Sequence, residues 1–340
     1  MPRKIIFKIT DYFEPDLKWE EQQCKKLGIE FYYYQMRDAL PEELIVTFKD
    51  ADIILTDMAT FNAEVMDGLE KVKILLRHGV GYDKIDVDAA TRNGIVIANE
   101  ATASSEDVAE HTLMLILETS RKRKLQDEAL ERWIETREWS SEGISPIYRM
   151  KDKTLGIIGC GNIGARVLKK VSGLGMKVLV CDPYLTQARY EELGITHVPL
   201  DDVLTAADIV TIHVPLTGET RHLFNLKKFK LMKKSAFVIN TARGSIVKTE
   251  DLITALKKGI IAGAGIDVYE QEPPPADLEL LKMDNVILTP HFAWYSEESG
   301  WDIRYLIIDD LKRFLREELP KYIINPEVLE KPNLRFQFRE

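Results

Sequence analysis

Short apolar runs alternate with amphipathic segments along the first hundred residues of the chain. KIIFKIT at 4–10 and IEFYYYQ at 29–35 are rich in β-branched and aromatic residues and predict strands. Residues 16–27 carry a helical pattern that Gly28 ends, and PEELIVTFK at 41–49 predicts a helix opened by proline. This alternation is typical of a parallel sheet with helices on both faces. Further strand-like runs are DIILTD (52–57), KILLRHG (73–79) and IVIAN (95–99).

The alternation restarts after Lys153 and predicts a second parallel sheet, with helical segments between most of its strands. A long helical stretch at 105–120 precedes this part of the chain, and an amphipathic helix at about 296–319 ends before Pro320. The strand-like runs are TLGIIG, VLVCD, IVTIHVP, AFVINTA, AGAGIDVY and NVILTP.

Length, composition and charge narrow the class of protein. The chain has 340 residues, which is too long for one ordinary hydrophobic core and favours two domains. Hydrophobic residues make up 45% and charged residues 30%, which is ordinary for a globular protein and excludes a disordered chain. The net charge of −9 provides no overall attraction to nucleic acid or to an anionic membrane, so we expect neither partner. The basic run RKRK at 121–124 is answered by acids a few residues later, and we interpret it as a solvated helix face.

Cysteine spacing and apolar run lengths exclude several further classes. Cys24, Cys160 and Cys181 are scattered and form no CxxC pair, so neither a disulfide framework nor a zinc site is predicted. No cluster of His, Cys and carboxylate residues has metal-ligand spacing, so we expect no metal. The apolar run before Asp11 is too short for a signal-peptide core, and no stretch approaches the ~20 apolar residues of a membrane span. The expected location is the cytoplasm.

Residues 155–164, LGIIGCGNIG, contain a GxGxxG motif between an apolar strand and a helix. In such motifs Gly159 would permit the tight turn, Gly161 would let the backbone approach a pyrophosphate, and Gly164 would allow close helix packing. The helix N-terminus offers unpaired N–H groups to the phosphates. Asp182 ends the next strand, where an acid accepts hydrogen bonds from ribose hydroxyls and repels a 2′-phosphate. The motif therefore predicts NAD rather than NADP as the cofactor.

Three later strands end in residues that could supply acid–base chemistry and anion binding. Arg243 follows the strand in NTARG, and His291 follows the strand in ILTPHFAW. Asp267 and Glu272 follow the strand in GIDVYEQEP. Ligands of open α/β sheets bind beyond the carboxyl ends of the strands, so these side chains are predicted to converge.

Several separate motifs together resemble the D-isomer-specific 2-hydroxyacid dehydrogenases, and the resemblance covers nearly the whole chain. The ending TPHFAWYSEES at 289–299 is most similar to the branch that includes the C-terminal-binding proteins, which are transcriptional corepressors with a dehydrogenase fold. Ala101 stands where many members have proline. The other motifs are RHGVGYDKIDVDAA (77–90), GIIGCGNIG (156–164), HVPLTGETRHLFN (213–225), NTARGSIV (240–247) and GIDVYEQEP (265–273).

The resemblance implies an α/β fold with two doubly wound parallel-sheet domains. Residues 1–100 and 293–340 would form a discontinuous, flavodoxin-like substrate domain, and residues 101–292 an inserted Rossmann domain that binds NAD. The active site would lie in the cleft. A homodimer would form through the NAD domain and an arm near 121–150, which contains Trp133 and Trp139.

The resemblance also implies a role for each candidate residue. His291 would be the general acid–base, because histidine exchanges protons near neutral pH. Glu272 would hydrogen-bond the other ring nitrogen, and Arg243 would hold the substrate carboxylate and polarise its carbonyl group. Asp267 would accept a hydrogen bond from the nicotinamide carboxamide. Further implied cofactor-binding residues are Ser105, Asn162, Ile163, Pro215, Thr220, Thr241 and Ala242. Implied substrate-binding residues are Arg77, Val80, Gly81 and Trp294, with Val80 and Gly81 acting through backbone N–H groups.

The favoured interpretation is an enzyme that interconverts a 2-oxo acid and a D-2-hydroxy acid with NAD. The alternatives are an NAD(H)-sensing scaffold of the corepressor type, or a hydroxypyruvate/glyoxylate or phosphoglycerate dehydrogenase. Long disordered tails are usual in a scaffold, and we expect none from this sequence. A formate dehydrogenase would carry Gln at the position of Glu272, which argues against that enzyme.

Two residues bear on the identity of the substrate. Trp294 would supply a large apolar wall, which favours small to medium apolar 2-oxo acids. Arg77 could instead bind a second anionic group of the substrate, or could pair with a nearby acid. No basic cluster accompanies Arg77, so 3-phosphoglycerate is disfavoured.

Overall fold

The computed structural model describes residues 3–339, and its internal contacts divide the chain into two units. Unit 1 consists of Met1–Ser104 and Ser296–Glu340, and unit 2 of Ser105–Tyr295. The strands are β1 (Ile6–Ile9), β2 (Glu30–Tyr33), β3 (Ile53–Thr56), β4 (Ile74–Arg77), β5 (Val96–Asn99), β6 (Thr154–Ile158), β7 (Lys177–Cys181), β8 (Ile209–Ile212), β9 (Phe237–Asn240), β10 (Gly263–Ile266) and β11 (Val286–Leu288).

The helices connect these strands in the alternating order that the hydrophobic pattern predicts. The α-helices are α1 (Lys18–Leu27), α2 (Pro41–Phe48), α3 (Ala63–Gly68), α4 (Val87–Arg92), α5 (Ser105–Arg121), α6 (Arg123–Thr136), α7 (Asn162–Val171), α8 (Gln187–Leu193), α9 (Leu200–Ala206), α10 (Leu226–Phe229), α11 (Thr249–Lys257) and α12 (Glu297–Leu315). Short 3₁₀ turns lie at Ser172–Leu174, Gly244–Ile246, Glu279–Lys282 and Pro326–Glu330.

Unit 1 is a parallel sheet with the strand order β2-β1-β3-β4-β5, which confirms the flavodoxin-like prediction. Its central strands are buried along their length, as expected for a sheet covered on both faces. Gly28 ends α1 with a φ of 73°, which confirms the predicted left-handed cap. The edge of β5 is covered by the C-terminal segment: Ile323 pairs with Ala98, and Asn325 accepts a hydrogen bond from the Ile97 amide.

Unit 2 is a parallel sheet with the strand order β11-β10-β9-β8-β6-β7. A single bridge between Val180 and His197 lies on the outer side of β7. If this bridge is counted as a reduced strand, the order becomes that of a Rossmann fold, with the switch in direction between β6 and β8. The predicted Rossmann architecture is thus confirmed, with one strand reduced to a bridge.

Helix α5 packs on the sheet of unit 2 through one face. Val108, Thr112 and Leu115 are buried, and a Cβ placed on Gly265 of β10 would lie 3.2 Å from the Leu115 Cβ. Helix α6 differs, because none of its residues is buried. Trp133 of α6 contacts Trp139 at a ring-centroid distance of 5.7 Å, and Trp139 is 81% exposed.

The three cysteines of the chain lie within residues 3–339 and form no disulfide bond there. All three cysteines are free and buried, and burial raises the pKa of the Cys24 thiol to about 12 and that of the Cys160 thiol to about 11. Both thiols therefore stay protonated at neutral pH. Within the same residues, none of the helices combines the length and the apolar character that a bilayer crossing requires. Nor does this part of the chain bring together three or more His, Cys, Asp or Glu side chains that could hold a metal ion.

Candidate active site

The glycine-rich loop lies between β6 and α7. Gly159 has a φ of 87°, and a Cβ at this position would lie 2.8 Å from the backbone carbonyl carbon of His213. A Cβ on Gly164 would lie 2.2 Å from the Gly159 carbonyl oxygen, whereas a Cβ on Gly161 would meet no atom within 4 Å. Two glycines are therefore required by packing, and the third leaves the start of α7 open. This open backbone fits a pyrophosphate at a helix N-terminus.

Asp182 lies at the end of β7, beside the glycine-rich loop. Its Oδ2 accepts a hydrogen bond of 2.8 Å from the Cys160 amide, and its Oδ1 accepts one of 3.1 Å from the Tyr184 amide. Each carboxylate oxygen has a second lone pair with which to accept a ribose hydroxyl. The residue therefore shapes the loop as well as offering a site for the adenosine ribose, and this donor and acceptor set fits NAD.

His291 and Glu272 form a hydrogen-bonded pair. The His291 Nδ1 lies 2.6 Å from the Glu272 Oε2, and the Glu272 Oε1 accepts a hydrogen bond of 2.9 Å from the Tyr269 amide. Burial alone would raise the pKa of the Glu272 carboxyl. The hydrogen bond and the charge of His291 outweigh burial, so the pKa lies below its usual value. Glu272 is therefore ionised at neutral pH and fixes the orientation of the ring, with Nε2 left to exchange protons.

Asp267 organises the loop that carries His291. The backbone of His291 adopts a φ of 55°, a left-handed conformation that is strained for a residue with a side chain. Asp267 stabilises this conformation, because the His291 amide donates to the Asp267 carbonyl oxygen at 2.7 Å. The buried Asp267 carboxylate accepts hydrogen bonds from the Thr289 hydroxyl and the Phe292 amide at its Oδ1, and from the Ala293 amide at its Oδ2. The nicotinamide contact implied for Asp267 remains a prediction.

Arg243 follows β9 and lies near the Glu272 carboxylate. Its positive charge contributes to the lowered pKa of Glu272. The guanidinium Nη1 donates to the Ala242 carbonyl oxygen at 2.8 Å, and the Asn240 side chain donates to the Arg243 carbonyl oxygen at 2.9 Å. A Cβ on Gly244 would lie 1.9 Å from the Tyr269 carbonyl carbon, so this glycine lets the Arg243 turn approach the Glu272 turn. The structure therefore brings together the catalytic trio that the sequence predicts.

The remaining predicted cofactor residues also lie in unit 2. The Thr220 hydroxyl donates to the Pro215 carbonyl oxygen at 2.6 Å and closes the turn after β8. The Thr241 hydroxyl lies 2.9 Å from that of Thr112 on α5. Ser105 is buried at the start of α5, Asn162 and Ile163 begin α7, and the Ala242 amide donates to the Asn240 side chain. His213, which sequence reasoning left outside the catalytic set, has its pKa lowered by burial to about 3 and stays neutral.

The segment 79–81 of unit 1 presents its amides rather than its carbonyls. The Gly79 carbonyl accepts from the Glu100 amide at 3.1 Å, and the Val80 carbonyl accepts from the Asn99 side chain at 2.6 Å. The Gly81 carbonyl accepts from the Arg77 Nε at 2.7 Å. The amides of Val80 and Gly81 donate to no acceptor in the described part of the chain. This arrangement fits the predicted anion-binding role of these two residues.

The other two predicted substrate residues have protein partners. The Arg77 Nη1 lies 2.8 Å from the Asp57 Oδ1, which is the pairing that sequence analysis considered as an alternative. Trp294 packs against Phe292 and Tyr295, with ring-centroid distances of 6.2 and 5.4 Å. Phe292 and Tyr295 are both exposed, so an aromatic surface follows His291 directly.

Sequence reasoning missed several residues that shape these sites. Tyr269 donates through its amide to Glu272 and through its hydroxyl to the Thr289 carbonyl oxygen, at 2.9 and 3.0 Å. Asp57 and Glu14 pair with Arg77 and His78. The signal for Tyr269 was its place within GIDVYEQEP, but isolated acids such as Asp57 and Glu14 carry no pattern that links them to distant bases.

Comparisons with known proteins bear on the family of the chain. Residues 113–293 match the family model described as "D-isomer specific 2-hydroxyacid dehydrogenase, NAD binding domain". A glyoxylate reductase from Korarchaeum cryptofilum is 35% identical, over 97% of this chain and 95% of its own length. A D-3-phosphoglycerate dehydrogenase from Methanocaldococcus jannaschii is 39% identical, over 84% of this chain and 53% of its own length.

A solved structure shows the same fold. D-lactate dehydrogenase from Aquifex aeolicus, complexed with NAD and lactic acid, has a TM-score of 0.82 and 30% sequence identity, and the match covers 94% of this chain and 98% of that one. The relatives match across both units, and the family model matches the unit that contains the glycine-rich loop. The chain therefore belongs to the D-isomer-specific 2-hydroxyacid dehydrogenase family and is an NAD-dependent oxidoreductase.

Proposed function

We propose that this protein reduces a 2-oxo acid to a D-2-hydroxy acid with NADH, and catalyses the reverse reaction with NAD, using His291 as the general acid–base. The observation that carries the proposal is the 2.6 Å hydrogen bond between Glu272 and His291, with Arg243 close to the same carboxylate. A histidine oriented by a carboxylate, beside a guanidinium, can hold a proton next to an anionic substrate.

Each residue of this trio acts on a different part of the reaction. Bound NADH supplies the hydride that reduces the carbonyl carbon. His291 donates a proton from Nε2 to the carbonyl oxygen and recovers it in the reverse direction. Arg243 binds the substrate carboxylate and polarises the carbonyl group. Glu272 fixes the imidazole through Nδ1 and stabilises its protonated form by its negative charge.

The backbone amides of Val80 and Gly81 supply further donors to the substrate carboxylate. The role is supported because these amides have no acceptor in the described part of the chain, while the three carbonyl groups of the segment are all occupied. Trp294 forms an apolar wall for the substrate tail, which favours small to medium apolar 2-oxo acids. The aromatic cluster with Phe292 and Tyr295 supports this assignment.

The test follows NADH oxidation with a panel of 2-oxo acids that includes glyoxylate, pyruvate and 4-methyl-2-oxopentanoate. His291→Ala is expected to lose about 10²–10⁴ in rate, the usual contribution of a positioned acid–base group. His197→Ala is the matched control, because His197 is exposed and lies outside the trio. Near-normal turnover of His291→Ala would contradict the mechanism. Tight NADH binding without turnover of any 2-oxo acid would favour a scaffold of the corepressor type.

We also propose that the protein forms a homodimer through the arm that contains α6. The support is the exposure of apolar side chains there, since Leu130, Ile134 and Trp139 all face solvent. Sedimentation of the whole protein should give twice the 39.0 kDa chain mass. Trp139→Ala should shift that equilibrium toward the monomer, and a wild-type chain that sediments as a monomer would contradict the proposal.

A further inference from the structure

Each base at the carboxyl ends of β3 and β4 in unit 1 is paired with an acid. The Arg77 guanidinium contacts the Asp57 carboxylate at 2.8 Å, and the His78 Nε2 lies 2.9 Å from the Glu14 Oε1. All four side chains are at least 85% buried. The two pairs join β4 to the loop after β1 and to the end of β3.

Both pairs are charged and close to neutral overall. Burial alone would raise the pKa of Glu14, but its hydrogen bond with His78 and the charge of His78 lower it to about 2. Burial alone would lower the pKa of His78, but Glu14, and to a lesser extent Asp57, raise it above its usual value, while Arg77 opposes them. Arg304 of α12 also acts on Glu14, but its guanidinium is engaged by both carboxylate oxygens of Glu20.

An additional acid makes this edge of the sheet more negative. The buried Asp11 carboxylate accepts hydrogen bonds from the Asp57 amide at 3.2 Å and from the Met58 amide at 2.7 Å. Asp11 therefore adds a third carboxylate near Arg77 and His78, while Lys84 donates to the Met58 carbonyl oxygen of the same loop. The second carboxylate oxygen of Asp57 is buried and has no hydrogen-bond donor among the described residues.

Of these charged groups, Arg77 contacts the segment whose amides would bind the substrate carboxylate. The Arg77 Nε holds the Gly81 carbonyl, and a Cβ on Gly79 would lie 3.0 Å from the Arg77 Nη1. Any group that reaches this edge in addition to the first carboxylate meets Arg77 already paired with Asp57. It also meets the carboxylate of Asp11, which is held by backbone amides rather than by a base.

We propose that Asp57 and Glu14 are specificity-determining residues that restrict the substrate to 2-oxo acids whose only charged group is the 1-carboxylate. The proposal rests on the proposed function, since it concerns the same substrate. By neutralising Arg77 and His78, the two acids leave neither base free to attract a distal phosphate or carboxylate. Selectivity thus arises from disfavouring the wrong substrate as well as from binding the right one.

The test compares two substrates that differ by a single charge, 2-oxopentanoate and 2-oxopentanedioate, with phosphohydroxypyruvate as a phosphorylated third. The wild-type enzyme should prefer the monoanion in kcat/KM by about tenfold or more, a typical effect of like charges held several ångströms apart. Asp57→Asn keeps the shape and the acceptor oxygen but removes the charge, and it should reduce this preference about fivefold.

Glu14→Gln is a second variant that leaves the Arg77–Asp57 pair intact, which matters if Asp57→Asn is unstable. Measured at pH 6, it should reduce the preference by less than Asp57→Asn does, because burial of His78 opposes a charge on its ring once Glu14 is replaced. Asp50→Asn is the matched control. Asp50 pairs with Lys8 and precedes β3, at the opposite edge of the same sheet, so the same charge change there should leave the preference unaltered.

Each outcome bears on one proposal or the other. A wild-type preference for phosphohydroxypyruvate or 2-oxopentanedioate would overturn the specificity role, and so would an unchanged preference in both variants. An equal shift in Asp50→Asn would reduce the effect to net charge and would also overturn it. Loss of NADH oxidation with every 2-oxo acid in the wild-type enzyme would instead refute the proposed function, and the specificity role with it.

Discussion

Glu100 predicts an unusual dependence of stability on pH. Its side chain is fully buried after β5, and neither carboxylate oxygen has a hydrogen-bond partner in residues 3–339. Burial and the neighbouring charge of Asp310 raise its pKa well above the usual value. Asp310 of α12 is also buried, and burial raises its pKa from 3.8 to about 6 although it accepts the Lys321 amide. The folded state therefore retains protons that the unfolded state has already released.

The magnitude follows from the linkage between protonation and folding. Between the unfolded and folded pKa values, each retained proton lowers the free energy of unfolding by about 1.4 kcal/mol per pH unit as the pH rises. Over pH 5 to 7 Asp310 contributes a loss of about 1.4 kcal/mol, mainly below pH 6, and Glu100 adds a further loss because its pKa is raised well above the usual value. Glu100→Gln cannot ionise, so its free energy of unfolding should fall by less over that interval, leaving the contribution of Asp310.

Hydrogen exchange of peptides from β5 and α12, corrected for the intrinsic rate at each pH, reports the opening of unit 1 separately from unit 2. The wild-type protein should lose protection from pH 5 to 7, and Glu100→Gln should lose less. Asp309→Asn is the control, because Asp309 is a more exposed neighbour on the same helix that pairs with Arg313. Equal pH slopes for the wild-type protein and Glu100→Gln would refute the reasoning.

Three further predictions concern the active site. The wild-type enzyme should prefer NADH over NADPH by about tenfold, and equal kcat/KM with the two cofactors would contradict this. Asp182→Asn keeps the hydrogen bond from the Cys160 amide but removes the charge, so it should narrow that preference. Asp182→Ala should narrow it and also weaken NADH binding. Glu272→Gln removes the charge that holds the proton on His291, so the alkaline limit of 2-oxo acid reduction should move to lower pH, and an unmoved profile excludes that role. Trp294→Ala should lower kcat/KM for 4-methyl-2-oxopentanoate more than for glyoxylate, and an unchanged ranking would mean that Trp294 only packs against its aromatic neighbours.

The fold was predictable where local pattern and packing agree. The apolar runs that become β3, β4 and β5 are buried on both faces, so composition alone identifies them. Gly159 and Gly164 were also predictable, because their backbone contacts leave no room for a Cβ. The third strand of the Rossmann order was not, because it shrinks to the one bridge at His197 and leaves no run of strand residues.

Long-range pairing limited the prediction of the sites. Arg77 could be assigned either to substrate or to an acid, because nothing near it in sequence indicates that Asp57 lies beside it; that contact follows from the adjacency of β3 and β4. Glu100 has the polarity of a loop residue, yet the fold buries it completely. The convergence of His291 and Glu272 was predictable from their positions after strands, but their hydrogen bond was predictable only through family motifs, since a histidine and a glutamate 19 residues apart carry no signal of contact.

The anion-binding role proposed for segment 79–81 would build a receptor from peptide groups alone. Such groups have no ionisable proton near neutral pH, so the receptor itself cannot be switched off by acid or base. Nor do its donors depend on the identity of the side chain, so Val80 and Tyr82 can change in size without removing a hydrogen bond. Gly79 is constrained, because its φ of 109° strains any residue with a side chain. Side chains around the segment can therefore change without loss of the amide donors. Substrates with different tails could then bind while their carboxylate keeps the same hydrogen bonds.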